Sequence, residues 1–381
     1  MKIKKNIAAW CLFSAFFFGF SAWNPLKAAE VKQGWQAEWA KTVEAAKKEG
    51  RLMIYVFPGG SMRPIEAGVF QKKFPEIKVV AVAGNPVPRI LAERRAEKYL
   101  ADIAIGGGAT PWELYLAKAL DPIKDALILP EVTDESKWWQ GKHHYIDTER
   151  KYAFKFIGAA DYGNSIHYNS NLIQPNEFKS FWEFVHPRWK GKIEARDVRI
   201  PGVGSSNIRR FYHNPALGPK FIKRLFGEMD ITFFRDTRQG TDWLATGKFA
   251  LCFFCPSRDI DKARSQGLPV ASFRGLMKEG ASITSSSGNI GLVNRAPHPN
   301  AAKLYVNWLL SREGQLLVQK EYSEAEAGSS NSLRMDIPKD MVPAEQRPVE
   351  GVSYLDVDTW ERMSMEPVVR VLNEALAESK K

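Results

Sequence analysis

Cysteine is scarce in this chain: three occur in 381 residues, and one of them, Cys11, lies inside the N-terminal apolar run. That excludes a small fold stapled by many disulfides. The apolar run itself, Ile7 to Phe20, is short of the roughly 20 residues that a membrane-spanning helix needs. The glycine run Gly106-Gly107-Gly108 continues as Ala109-Thr110-Pro111. It has neither the Lys-Ser/Thr of a phosphate-binding loop nor the spacing of a dinucleotide fingerprint, so nucleotide binding is excluded. Lys and Arg outnumber Asp and Glu, 54 to 43, but are scattered and form no run. They read as solvated faces, and nucleic acid is not expected as a partner. No histidine stands beside a candidate Ser or Cys in a recognisable catalytic arrangement, so the chain does not read as an enzyme. The adjacent His143 and His144 point in different directions in any regular element and have no Asp, Glu or Cys at ligand spacing. No metal and no cofactor are expected.

What is present begins with a secretory signal. Lys2, Lys4 and Lys5 precede the apolar run, and small residues end at Ala28-Ala29, which places a signal peptide at 1–28 and the mature protein outside the cytoplasm. An uncleaved anchor is the alternative. The signal holds four lysines and no acid, so the formal charge of +11 falls to about +7 after cleavage; a basic surface of this size attracts anions. About 350 mature residues exceed what one core serves, so two domains are expected.

Along the first part of the chain, strand, turn and helix succeed one another. Trp35, Trp39, Val43 and Ala46 share one side of a helix that ends at Gly50. The strand Leu52 to Phe57 runs into Pro58-Gly59-Gly60-Ser61-Met62-Arg63-Pro64, then a helix over 65–74. A strand at 77–82, a helix at 88–99 and a strand at 101–105 follow, with Gly107 to Thr110 opening another helix. Such units imply a parallel sheet whose ligands sit at the carboxyl ends of its strands. Ser61, Arg63, Gly108 and Thr110 fall at that edge. Ser61 either caps its helix, the commoner role, or receives an anion there.

Three later stretches carry a more specific wording. The first is Phe178-Lys179-Ser180-Phe181-Trp182-Glu183-Phe184 with His186-Pro187-Arg188-Trp189-Lys190-Gly191-Lys192-Ile193. The second, Gly240 to Leu251, reads as helix, turn and strand. The third, Asn289 to Gln315, gives a strand, a break at Ala296-Pro297-His298-Pro299, and an amphipathic helix with Gly314 where it should end. Together, in this order, they resemble the periplasmic solute-binding proteins of ABC importers, in the group that includes the ferric-ion-binding proteins. The resemblance covers most of the mature chain and is weak over 125–151 and beyond Pro338.

The resemblance implies an α/β fold of the type II-like periplasmic binding protein kind, with two α/β lobes joined by crossing strands. Lobe 1 would span 29–165, lobe 2 166–288, and 289–381 would return to lobe 1 and end in C-terminal helices. It also implies a monomer that closes on a small solute and delivers it to a permease and its ATPase. In ferric-binding members, two adjacent tyrosines follow the strand matching Phe249 to Leu251. Here Cys255 and Pro256 stand there, and no tyrosine occurs between Tyr212 and Tyr305. Without phenolates a ferric ion loses its main ligands. The expected cargo is therefore a carboxylate, phosphate or organic acid, with iron or an iron complex as the alternative and a ligand-sensing subunit of a signalling receptor as another.

From lobe 2, Arg199, Ser205, Ser206, Ser257 and Arg258 join the candidate set. Arginines would pair the charge, hydroxyls would orient it and helix-mouth amides would complete the shell. The hydroxyls of Ser282 to Ser287 also run beside the expected cleft. Cys252 and Cys255 end an apolar strand, the wrong setting for a thioredoxin-like motif. A structural disulfide and two thiols both remain open.

Overall fold

The computed structural model describes residues 25–57, 63–66, 68–162, 165–199, 203–324 and 330–378. Residues 1–24, most of the expected signal, lie outside them, as does Ser61. Among the described residues, no helix is long and apolar enough to cross a membrane.

The first lobe is built on a mixed sheet with strand order Lys78–Ala83, Arg51–Val56, Ile103–Gly106, Asn289–Val293, Ala153–Lys155 and His144–Tyr145. Leu120–Asp121 also pairs with Asn289–Val293. The first three strands are parallel, as their strand-turn-helix succession requires. The return strand Asn289–Val293 runs antiparallel to both its neighbours. Helix Pro25–Glu49 precedes this sheet and stops at Gly50, whose φ of 63° is the left-handed turn that releases the last carbonyls. The helix expected over 65–74 is two short pieces, Arg63–Glu66 and Val69–Lys73, because Gly68 turns left-handed between them (φ 68°).

The third motif also divides. Helix Pro299–Leu310 ends at Ser311, and a second helix, Arg312–Glu324, begins at once. Ser311 accepts from the Gly314 amide (3.2 Å), so it caps the second helix. Gly314, expected to end the helix, instead lets the two helices meet: a β-carbon there would run into the carbonyl oxygens of Trp308 and Leu309.

The second lobe has its own sheet, ordered Thr232–Phe234, Ile193–Arg196, Leu251–Phe253, Ile166–Asn169 and Val270–Ser272. Its first three strands are parallel and the last two pairings antiparallel. The core is aromatic. Phe181, Phe211, Phe221, Phe184, Phe253 and Phe273 meet mostly edge to face, the arrangement that ring quadrupoles favour. The C-terminal helix Glu366–Glu378, grouped above with the return segment, packs here through Val368, Leu372 and Ala375.

A small third sheet, Tyr354–Asp356, Ala281–Thr284 and Ala159–Asp161, joins the lobes. Ala159–Asp161 leads into the second sheet and Ala281–Thr284 leads back to the first, the two lying antiparallel. The chain thus crosses twice at one place. The segment near residue 356 adds a third strand alongside.

Candidate ligand-binding site between the lobes

The strand edges gather most of the sequence candidates. Val56 lies opposite Ile105, and the Phe57 amide bonds the Ile105 carbonyl at 3.0 Å. Phe57 and the Gly106–Thr110 turn therefore leave the first sheet side by side. In the second sheet Arg196 lies opposite Phe234, and Ala195 opposite Phe253. Helix Val203–His213, holding Ser205 and Ser206, and helix Ser257–Ser265 thus both start beyond the same carboxyl edge. The side chains of Ser205 and Ser206 lie outside the described set.

Individually the candidates fare unevenly. Gly108 precedes helix Ala109–Leu116, and a β-carbon on it would stand 3.3 Å from the Asp358 carboxylate. Thr110 is buried with its hydroxyl folded back over Gly106. Arg199 already grips the buried Asp197 with both arms of its fork (2.6 and 2.8 Å), a bidentate pair that holds the Asp197 carboxyl below its ordinary range. Arg63 is exposed on its short helix, and Arg258 is exposed beside Asp259 at 3.6 Å. Among the described residues, neither shares a hydrogen bond or ion pair with the cluster described next. Ser257 is half-buried at the first turn of its helix.

Where the lobes meet, the structure places a polar cluster that the sequence did not reveal. Helix Val203–His213 sends two consecutive arginines, both 5% exposed, in different directions toward the crossing sheet. Arg209 donates to Asp358 Oδ1, and Arg210 pairs with Asp161. Asp358 Oδ2 accepts from both the amide (2.8 Å) and the hydroxyl (2.7 Å) of Ser285. Lys155, buried, pairs with Asp356 and lies 3.5 Å from the Asp358 carbonyl. Asn289 ties Ser285 to the glycine turn, donating to Ser285 Oγ (3.0 Å) and the Gly106 carbonyl (3.1 Å). Burial would raise the Asp358 pKa, but Arg209, Lys155 and the Ser285 donors outweigh it and hold the carboxyl below its ordinary value.

Three cationic groups therefore meet three carboxylates across the lobe boundary. A cavity of about 10 Å³ beside Asp161, Arg210 and Ser282 has room for roughly one water molecule. Of the residues named from sequence, Gly108 and the Ser282–Ser287 stretch touch this cluster. One signal for the rest was legible: Arg209-Arg210 sits between Ile208 and Phe211, both fully buried, so two guanidiniums had to enter a core and find partners there.

The phenols and histidines complete the inventory. Tyr162 and Tyr354 share a hydrogen bond between their hydroxyls in the crossing sheet, and burial, with that bond, pushes the Tyr162 pKa up. The rings of His143 and His144 are held by the carbonyls of Val132 and Trp139, each at 2.8 Å.

This architecture is that of the two-lobed periplasmic binding proteins. Over 86% of this chain and 99% of theirs, it is similar to the Trichodesmium protein IdiA (FutA) in complex with iron and citrate, at TM-score 0.62 and 18% identity. It is also similar to a ferric binding protein from Campylobacter jejuni (TM-score 0.61, 16% identity, 85% of this chain and 99% of that one). A third is the periplasmic binding protein AfuA from Actinobacillus pleuropneumoniae with fructose-6-phosphate bound (TM-score 0.58, 18% identity, 87% and 99%). In sequence, an uncharacterized protein of Haemophilus influenzae is 22% identical over 299 residues, 73% of this chain and 78% of that one. No protein-family model matches the sequence.

Proposed function

We propose that this chain is the periplasmic solute-binding component of an ABC importer and that it captures a small anion where its lobes meet. The observation that carries this reading is Asp358. A carboxylate is already held at the boundary by the amide and hydroxyl of Ser285, beside a crossing strand, and by the Arg209 guanidinium of the second lobe, the donor set suited to a carboxylate or phosphate. A solute anion competes with Asp358 for those donors. We propose that its shell is completed from Gly108, Thr110, Arg199, Ser257, Arg258 and Arg63, with Ser61, Ser205 and Ser206 kept as candidates from the sequence alone. Preferential binding to the closed arrangement is what would make closure depend on cargo.

An iron complex is the competing cargo, supported by the similarity to the IdiA (FutA) and Campylobacter structures. What weighs against it is the sequence after Phe249 to Leu251, where Cys255 and Pro256 stand in place of the paired tyrosines of ferric-binding members and supply no phenolate. The test is a thermal-shift screen against phosphate, sugar phosphates, citrate and other carboxylates, aromatic acids and ferric citrate, since a ligand of the folded state raises its melting temperature. A rise with a metal-free anion supports the proposal. A rise with ferric citrate alone, with a phenolate-to-iron absorption band, transfers it to iron. A rise only with neutral or cationic solutes ends the anion reading.

A further inference from the structure

The second lobe contains a separate cluster that the inter-lobe site does not use. In its sheet, Cys252 lies opposite Glu194 on one side and His167 on the other. The chain then turns through Phe254 in a left-handed conformation (φ 64°), which brings Cys255 back to form a disulfide with Cys252. Glu194 is 0% exposed, and neither of its carboxyl oxygens has a hydrogen-bond partner. One ligand atom each of Glu194, Cys252 and Cys255 lies within 4.8 Å of the others. A disulfide needs no acid beside it, and a buried carboxyl with no partner is a rare and costly feature that calls for an explanation. His167 is otherwise engaged, with Ser272 Oγ at 2.8 Å and the Cys255 carbonyl at 2.9 Å.

We propose that Glu194, Cys252 and Cys255 form a redox-gated site for a thiophilic divalent cation of the zinc type, shut while the two sulfurs are joined and opened by reduction. An external dithiol supplies the electrons. Its two sulfhydryls become a disulfide, while the Cys252–Cys255 bond breaks and takes up two electrons and two protons. The cation then displaces three protons, one from each thiol and one from the carboxyl. The resulting set of two thiolates and one carboxylate suits zinc and leaves a fourth position open. It carries one net negative charge with the metal, and the neighbouring Lys248 offsets that charge.

The experiment uses the full chain with Cys11→Ser, so that only these two thiols are counted. The protein is reduced anaerobically with a dithiol, desalted, exposed to Zn²⁺ or Co²⁺, and passed through gel filtration. The reduced protein is expected to retain one metal per chain and, with Co²⁺, to show thiolate-to-cobalt absorption. The oxidised protein should retain none, and Cys252→Ser and Glu194→Gln should lose retention while melting cooperatively. The cobalt spectrum needs no further variant and so reads the site even if these substitutions unfold the lobe. Absence of retention and of that absorption in the reduced, folded protein overturns the proposal. So does equal retention by the oxidised protein or by folded Glu194→Gln.

Discussion

Replacing Asp358 by Asn tests the lobe boundary most directly, because it removes a charge while keeping the shape. Arg209 is 5% exposed, its Nε has no partner and its Nη1 rests on Met363 Sδ at 3.0 Å. Asp358 is therefore the carboxylate that compensates its charge. Removing one member of a buried pair leaves the other uncompensated, which costs about 3–5 kcal/mol. The amide oxygen of Asn still accepts one bond from Arg209, which puts the loss near the lower figure. With larger domains losing roughly 2–4 °C of melting temperature per kcal/mol, the variant should melt about 6 °C or more below the parent. The double variant Arg209→Met, Asp358→Leu should regain much of this, because exchanging both partners for apolar groups removes the desolvation penalty as well. Asp358→Asn also leaves three cations facing two carboxylates, so anions in the thermal-shift panel should stabilise it more than they stabilise the parent. A melting temperature within a degree of the parent's, with an unchanged anion response, would refute both the energetic role of Asp358 and its standing as the resident anion.

Acid provides a second check. The folded-state pKa of Asp358 lies below its ordinary 3.8, so the folded state binds fewer protons than the unfolded chain around that pH. The stability this contributes is full above about 3.8 and is lost as pH falls through the folded pKa. Melting temperatures measured from pH 7 to pH 3 should fall more steeply for the parent than for Asp358→Asn. Gly314→Ala should cost about 1–3 kcal/mol, since its β-carbon meets the backbone carbonyls of Trp308 and Leu309; urea denaturation measures it. Phe211→Ala should cost about 3–5 kcal/mol, because its ring is fully buried against Phe181 and Phe221; a variant as stable as the parent would show that the aromatic core repacks freely.

Much of the fold was legible where local signals agreed. Gly50 ends its helix, and the three-strand parallel run follows from strand-turn-helix succession. Local signals also misled where two residues competed. Ser311, three positions before Gly314, caps a new helix, and Gly314 serves the close packing of two helices instead of ending one. The C-terminal helix has an apolar face that fits either lobe, and only tertiary packing assigns it to the second.

The site was less legible because its members come from distant segments. Residues 155, 161, 209, 285, 356 and 358 meet only once the crossing sheet has formed. Helix mouths can be read locally, and that reading found Gly108, but a buried ion pair depends on which two elements come to face each other. The same fact bears on mechanism. Arg209 and Arg210 ride on one helix of the second lobe, whereas Asp161, Asp358 and Ser285 belong to or adjoin the crossing strands. Any movement that carries this helix away from those strands must break both ion pairs at once, in a nearly dry setting where each unpaired charge is expensive. Water entering the gap would meet part of that expense. On the proposed reading, an anionic solute bridging the two arginines would meet more of it, which would couple lobe movement to the charge of that solute.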